Sequence, residues 1–417
     1  MDRTLLWVWL SLLFGPEKAI YRKIYTYFDI EEVYNFDDSD LEVSDTVFSE
    51  YEKRNLLDKN LGSAKKVIET CNKLGVQIIT LDSDNYPKRL LDLTKYPAVL
   101  YCLGNLPKID DMLCITVVGT RQQSTYGAKM AFELGYGLSK GGALVISGGA
   151  AGNDTSAQKG ALYSGSKTVS VLGCGINVVY PRENKEFFEH VKENGAILTE
   201  YPPSTPPDGM NFPKRNRLMA ALSNGTVVVE GKSRSGTFIT AGYTKELGRK
   251  LFAVPGPADQ YTSEAPNELI KSGAIPVTSS IDVLEQFLDE YFEVIDLTAS
   301  KSRPNYDFDS LEETKTTSFI SSIFGKTKNK KEKKKNETKS EEKKNTKSIE
   351  NKFVDLSSLS ENEIKIYEFM ELEKEYSFDM FDELDMDISL VSSALLCLCI
   401  SGLVIELPGG RYKKNTH

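Results

Sequence analysis

The sequence predicts an α/β protein built on a doubly wound parallel sheet, because short apolar runs alternate with stretches of helical length and a glycine-bearing or charged turn follows each run. The runs are Ile115–Val118, Ala143–Ile146, Thr168–Leu172, Ala196–Thr199, Thr226–Val229 and Leu251–Val254. Near-continuous apolarity over four or five residues marks strands covered on both faces, and the helical stretches are the crossovers that parallel pairing needs. Ligands of such sheets bind beyond the carboxyl ends of the strands, where the strand order reverses. The segments that follow the strands therefore carry the functional information.

The first strand runs into Gly119-Thr120-Arg121 and the second into Ser147-Gly148-Gly149-Ala150-Ala151-Gly152-Asn153-Asp154. The third is followed by Gly173-Cys174-Gly175, and the fourth by Glu200-Tyr201-Pro202-Pro203 and then Asn211-Phe212-Pro213-Lys214-Arg215-Asn216-Arg217. After the fifth come Glu230 and Ser233-Arg234-Ser235-Gly236-Thr237, and after the sixth Pro255-Gly256. The Gly119 turn lacks the later glycines of a dinucleotide fingerprint and is followed by no Walker lysine. On its own it reads equally as a tight turn closed by a surface arginine or as a phosphate site at a helix N-terminus. Arg121, Lys214, Arg215, Arg217 and Arg234 converging on one edge, beside turns at Gly119, Thr120, Gly148 and Gly149 that expose backbone donors, suit several phosphates in a row. Asn216 sits between two of those arginines. Ser235, Gly236 and Thr237 open the next helix, where capping and ligand contact are both open readings. Phe212, or a neighbouring aromatic, is the candidate for stacking a base.

Composition narrows the chemistry. The net charge of −9 over 417 residues opposes a chain that coats nucleic acid over its whole surface, while permitting one basic groove. The six cysteines contain no CxxC, so buried free thiols are expected and a metal centre is not. His190 and His417 are the only histidines, one in a helical pattern and one terminal, which disfavours a histidine-dependent nucleophile. No cofactor is implied. Leu5 to Phe14 has the apolarity of a signal-peptide core, but Asp2 opposes a basic leader and Gly15-Pro16-Glu17-Lys18 offers no small-residue cleavage site. A buried first helix is expected instead. No run approaches the ~20 apolar residues that span a bilayer, which predicts a soluble cytoplasmic protein with no membrane partner.

The chain divides by composition into four parts. Residues 1–73 carry helical spacing in Leu5 to Phe14, Ile20 to Phe28, Val47 to Leu57 and Ala64 to Leu74, a support or helix-hairpin-like module. Residues 74–298 hold the sheet, preceded by an added edge from Gly75 to Gly104. Residues 299–354 are polar and lysine-rich, with Lys326 to Lys331 and Lys333 to Lys335 at the centre, and read as a disordered linker or a DNA-tethering arm. Residues 355–417 regain helical spacing in Ile364 to Met370, Phe378 to Leu384 and Val391 to Ile400 before a hairpin, a winged-helix-like pattern. Its third helix lacks the basic and amide side chains that read base edges, so protein contact or packing is expected of it.

From about Gly75 to Ile281 the chain resembles the DprA/Smf family, the DNA-processing proteins of natural transformation. The resemblance rests on Val117-Val118-Gly119-Thr120-Arg121 with Tyr126-Gly127, Ser147-Gly148 with Gly152 and Asp154, Gly160-Ala161-Leu162, Val171-Leu172-Gly173 with Gly175, and Tyr180-Pro181 with Asn184. It continues through Glu200-Tyr201-Pro202-Pro203, Phe212 to Arg217, Ser235-Gly236-Thr237, Gly248-Arg249, Pro255-Gly256, Asn267 and Gly273-Ala274. It implies an extended Rossmann-like domain that binds single-stranded DNA, forms a homodimer and loads the RecA recombinase onto incoming DNA in transformation or recombination. By position, Arg121 takes the place of the family's first-loop arginine, and Lys214, Arg215 and Arg217 that of its second basic loop. Ala151 stands where relatives usually carry arginine, Asn153 where they carry a hydrophobic residue, and Gln158 where a histidine is common. A non-enzymatic DNA-binding role follows. The rival reading is a nucleotide-processing enzyme resembling phosphoribohydrolases, with Glu200 or Glu230 as general acid or base.

Overall fold

The computed structural model describes residues 1–43, 47–233, 235–304 and most of 360–415. Residues 305–354 of the lysine-rich segment, Arg234 on the fifth turn and residues 408–410 of the last turn lie outside them. The chain forms two compact units, Met1–Asn329 and Lys330–His417.

The first unit is organised on a nine-stranded sheet among the described residues: β1 Gln77–Thr80, β2 Val99–Gly104, β3 Cys114–Val118, β4 Leu144–Ser147, β5 Thr168–Val171, β6 Gly195–Thr199, β7 Gly225–Val228, β8 Lys250–Ala253 and β9 Ile275–Pro276. Their order is β1-β2-β6-β5-β4-β3-β7-β8-β9. From β6 to β9 every pairing is parallel, whereas β1 and β2 join as an antiparallel edge on β6. The six expected core strands and the added edge are all present. The order reverses at β3, which pairs with both β4 and β7, so the turn at Gly119 lies at the switch point.

Alternation along β3 shows why the sheet needs two covers. Ile115 and Val117 enter one apolar layer with Ala131, Leu134 and Leu138, while Cys114 and Val118 enter the other with Leu218, Met219 and Leu222. The helices that supply these layers are α7 Thr125–Lys140, α8 Asn153–Tyr163, α9 Lys185–Glu193, α10 Asn211–Leu222, α11 Gly236–Glu246 and α12 Glu264–Lys271. Before the sheet come α1 Arg3–Phe14, α2 Ile20–Tyr27, α3 Ile30–Asn35, α4 Asp38–Val43, α5 Glu50–Leu56 and α6 Gly62–Leu74. The first of them is buried as expected: Leu6, Trp7, Val8, Trp9 and Leu10 lie in the same apolar layer as Leu100 and Cys102 of β2. Its two indoles still find acceptors, Trp7 at the Asp82 carboxylate (2.6 Å) and Trp9 at the Asp58 carbonyl (2.8 Å).

In the second unit, a helix at Glu361–Phe369 starts on a capping box between Ser360 and Glu363. It contributes Ile366 and Tyr367 to a small core with Tyr376, Phe381, Leu398 and Val404. Strands β10 Glu375–Ser377, β11 Val404–Leu407 and β12 Arg411–Lys414 form an antiparallel sheet in the order β10-β12-β11. The expected terminal hairpin is the β11–β12 pair. The expected helices at Phe378 to Leu384 and Val391 to Ile400 include residues outside the described set.

Helices α7 and α8 pack closely because two glycines remove the side chains between them. A Cβ on Gly135 would stand 1.9 Å from the Ala157 carbonyl oxygen, and one on Gly160 would stand 2.1 Å from that of Phe132. Both obstacles are backbone and cannot swing aside. Gly135→Ala is expected to lower stability by about 1–3 kcal/mol through overpacking, seen as a lower urea midpoint with an unchanged slope.

Candidate functional site

The exposed part of the site is a small shelf of cations and rings beyond β3. Arg121 is exposed, and its guanidinium carbon lies 5.1 Å from the centre of the Phe212 ring. Phe212 belongs to the first turn of α10, with the Tyr180 ring 5.3 Å away, and it closes against Gly173, where a Cβ would meet the ring at 2.9 Å. Lys214 follows on the same helical turn, half exposed. Neither Arg121 nor Lys214 forms an ion pair among the described residues. Each feels only the more distant field of a buried acid, Asp154 for Arg121 and Glu200 for Lys214.

Arg215 and Arg217 are placed differently from the basic loop that the sequence suggests. Residues 211–222 wind into α10, with Pro213 in its first turn, where no backbone donor is needed. The helical period then turns Arg215 inward with Leu218, Met219 and Leu222, leaving it 4% exposed, while Arg217 is 2% exposed. The Arg215 Nη1 donates to the Gly148 carbonyl at 2.8 Å and to the Val171 carbonyl, and Nε donates to Asn216 Oδ1 at 3.1 Å. Burial pulls its pKa down to about 10, against the opposing field of Asp154. Arg217 Nη2 donates to Glu200 Oε2 at 2.5 Å, and both side chains are almost wholly enclosed. Burial raises the Glu200 pKa, and Arg217 opposes the rise. Asn216 donates from Nδ2 to the Gly236 carbonyl at 3.3 Å, tying α10 to the start of α11.

One backbone donor of each glycine turn is likewise engaged within the chain. Gly119 N–H donates to Asp154 Oδ1 at 3.3 Å, and Gly148 N–H donates to Asp154 Oδ2 at 3.1 Å. Thr120 holds the turn, its carbonyl accepting from Asn153 N–H and its hydroxyl from Gln122 N–H. Gly149 has a left-handed φ of 61°, and its carbonyl accepts from Asn184 Nδ2 at 3.0 Å. Ser235 precedes α11 without capping it; its hydroxyl bonds that of Thr237 at 2.5 Å. Gln158 is fully buried, donating to Thr168 Oγ1 and accepting from Ser170 Oγ, so it braces α8 against β5. Ala151 lies half exposed on the turn before α8.

Glu200 and Glu230, the carboxylates an enzyme would use, both hold structural partners. Glu230 is 2% exposed, accepting from Ser124 Oγ at 2.6 Å and from Ser124 N–H at 3.1 Å. Among the described residues, no cluster of His, Cys, Asp or Glu is arranged to hold a metal ion, and no helix is long and apolar enough to cross a membrane. The sequence names Asp154 and Tyr180 only within longer stretches, without a role for either, and does not pair Ser124 with Glu230.

A doubly wound sheet whose switch point carries an exposed arginine over an aromatic ring defines an α/β protein of the extended Rossmann-like class. The chain belongs to the DprA/Smf family: the family model described as DNA recombination-mediator protein A matches residues 77–288. It is 34% identical to the DNA processing protein DprA of Bacillus subtilis over 53% of this chain and 74% of that protein. It is also 40% identical to the protein Smf of Escherichia coli, over 50% of this chain and 56% of that one. It thus spans little more than half of the Escherichia coli relative. The crystal structure of DprA from Streptococcus pneumoniae aligns with a TM-score of 0.60 at 30% identity, covering 69% of this chain and 98% of that one.

Exposed and buried arginines should respond differently to substitution. Arg121→Ala is expected to change stability by less than about 0.5 kcal/mol, whereas Arg217→Met, which strands a buried carboxylate, should cost about 3–5 kcal/mol. Chemical denaturation of the two variants beside the parent chain measures the contrast.

Proposed function

We propose that this chain is a non-enzymatic, cytoplasmic mediator of DNA recombination that binds single-stranded DNA along the carboxyl edge of its sheet. The observation that carries the reading is the placement of the exposed Arg121 guanidinium over the Phe212 ring, with the half-exposed Lys214 in the same first turn of α10. Backbone phosphates neutralise such cations, and a base stacks on an aromatic ring or on the flat face of a guanidinium without regard to sequence. Arg215, Asn216 and Arg217 serve this site by shaping it from beneath, while Gly119, Thr120, Gly148, Gly149, Ser235, Gly236 and Thr237 form its floor. Membership of the recombination-mediator family supports the DNA-processing role. RecA loading and a homodimer extend the reading on the strength of the same resemblance. The lysine-rich segment acts as a linker and the C-terminal unit as a protein-contact module.

Fluorescence anisotropy with a labelled oligothymidine tests the central claim. Arg121→Ala and Lys214→Ala should each weaken binding by at least ~1 kcal/mol for a charge-assisted contact. Each should also flatten the slope of log affinity against log salt by about 0.7, the share of one phosphate on a single strand. Salt-matched isotherms unchanged in both variants would refute the reading. The enzyme alternative predicts turnover of nucleoside monophosphates that disappears in Glu200→Gln or Glu230→Gln; no turnover above a no-protein control is expected.

A further inference from the structure

The switch point of a doubly wound sheet is where nucleotide phosphates ordinarily meet backbone N–H groups and the N-terminus of the helix after the central strand. Here that helix is α7, sixteen residues long, and its N-terminus faces the Glu230 carboxylate. Glu230 arrives from the end of β7, across the reversal in strand order, and accepts both donors of Ser124. Gly127 in the first turn admits it: a Cβ there would stand 1.8 Å from Glu230 Oε2. In the neighbouring crevice Asp154 bridges Gly119 N–H and Gly148 N–H with one oxygen each, and is 5% exposed. Each carboxylate therefore makes the contacts that a phosphate oxygen would make, at a close approach that glycine permits.

The geometry points to Asp154 and Glu230 as built-in anions that close the inner phosphate cradle of the fold against free nucleotides and inorganic phosphate. What is left for a ligand is the outer shelf at Arg121 and Lys214, which holds few contacts for a single phosphate but repeats its grip along a polymer. The preference for a polymer rests on the single-strand reading; the closure of the cradle does not.

The test uses the full chain, with inorganic phosphate and AMP as probes. Thermal unfolding is compared in phosphate and in chloride at matched ionic strength for the parent chain, Glu230→Ala and Asp154→Ala. The parent chain should show no phosphate-specific shift, while removing a carboxylate should open the donors and give a phosphate-dependent rise in Tm of at least ~2 °C by binding to the native state. AMP in large excess should fail to displace a labelled oligothymidine from the parent chain. A phosphate-specific rise in the parent chain, competitive displacement by AMP, or folded variants that both gain nothing would overturn the inference. If neither variant folds, the two parent-chain measurements decide it. If the parent chain binds no oligonucleotide, the proposed function fails while the phosphate comparison still judges the cradle.

Discussion

The buried guanidinium of Arg215 is the constraint on which the carboxyl edge depends. A cation enclosed to this degree needs its acceptors in place, and here they are the Gly148 carbonyl just past β4 and the Val171 carbonyl that ends β5. One side chain thus anchors α10 to two strands at once. With α10 held, Phe212 is fixed against Gly173 and Tyr180, and Lys214 is left facing outward on the same turn. Arg121 then has a ring to lie upon. The exposed chemistry of the edge is positioned from below by an arginine that solvent barely reaches.

Charge is consequently arranged in two tiers. Beneath the surface, Arg217 meets Glu200, Arg215 lies in the field of Asp154, and Glu230 sits at the start of α7. Each buried charge has a counter-charge or a set of oriented dipoles, as enclosure in a poorly polarisable interior demands. Above them, Arg121 and Lys214 form no ion pair among the described residues and feel only the more distant fields of Asp154 and Glu200. An acidic chain with a net charge of −9 can therefore present a local positive rim without a basic surface overall.

The fold was largely legible because strand burial on both faces leaves an unbroken apolar signature. The expected strand at Ile115–Val118 differs from β3 at Cys114–Val118 by one residue, and Thr168–Leu172 differs from β5 at Thr168–Val171 by one. The orientation of Arg215 and Arg217 was not legible. Proline beside four consecutive polar residues reads as a loop, yet proline is welcome in the first turn of a helix, and the buried acceptors come from residues 44 and 67 positions earlier in the sequence. Asp154 was hidden for a similar reason, since an acid in the first turn of a helix is ordinary and nothing local reveals that it reaches two separate turns. Gly127 was the available clue: a glycine inside a good helical pattern implies something close against the backbone. The contact between Tyr180 and Phe212 joins residues with no shared pattern, and only the folded chain brings them together.

The glycine-to-backbone packing of α7 on α8 has a consequence for how any strand of DNA would be met. Those helices follow the two turns that carry Gly119 and Gly148, so the spacing of the turns is held by close backbone approach at Gly135 and Gly160. Turns spaced this way are in place before any ligand arrives. A bound strand would then be ordered together with the exposed Arg121 side chain, while the turns beneath keep their spacing.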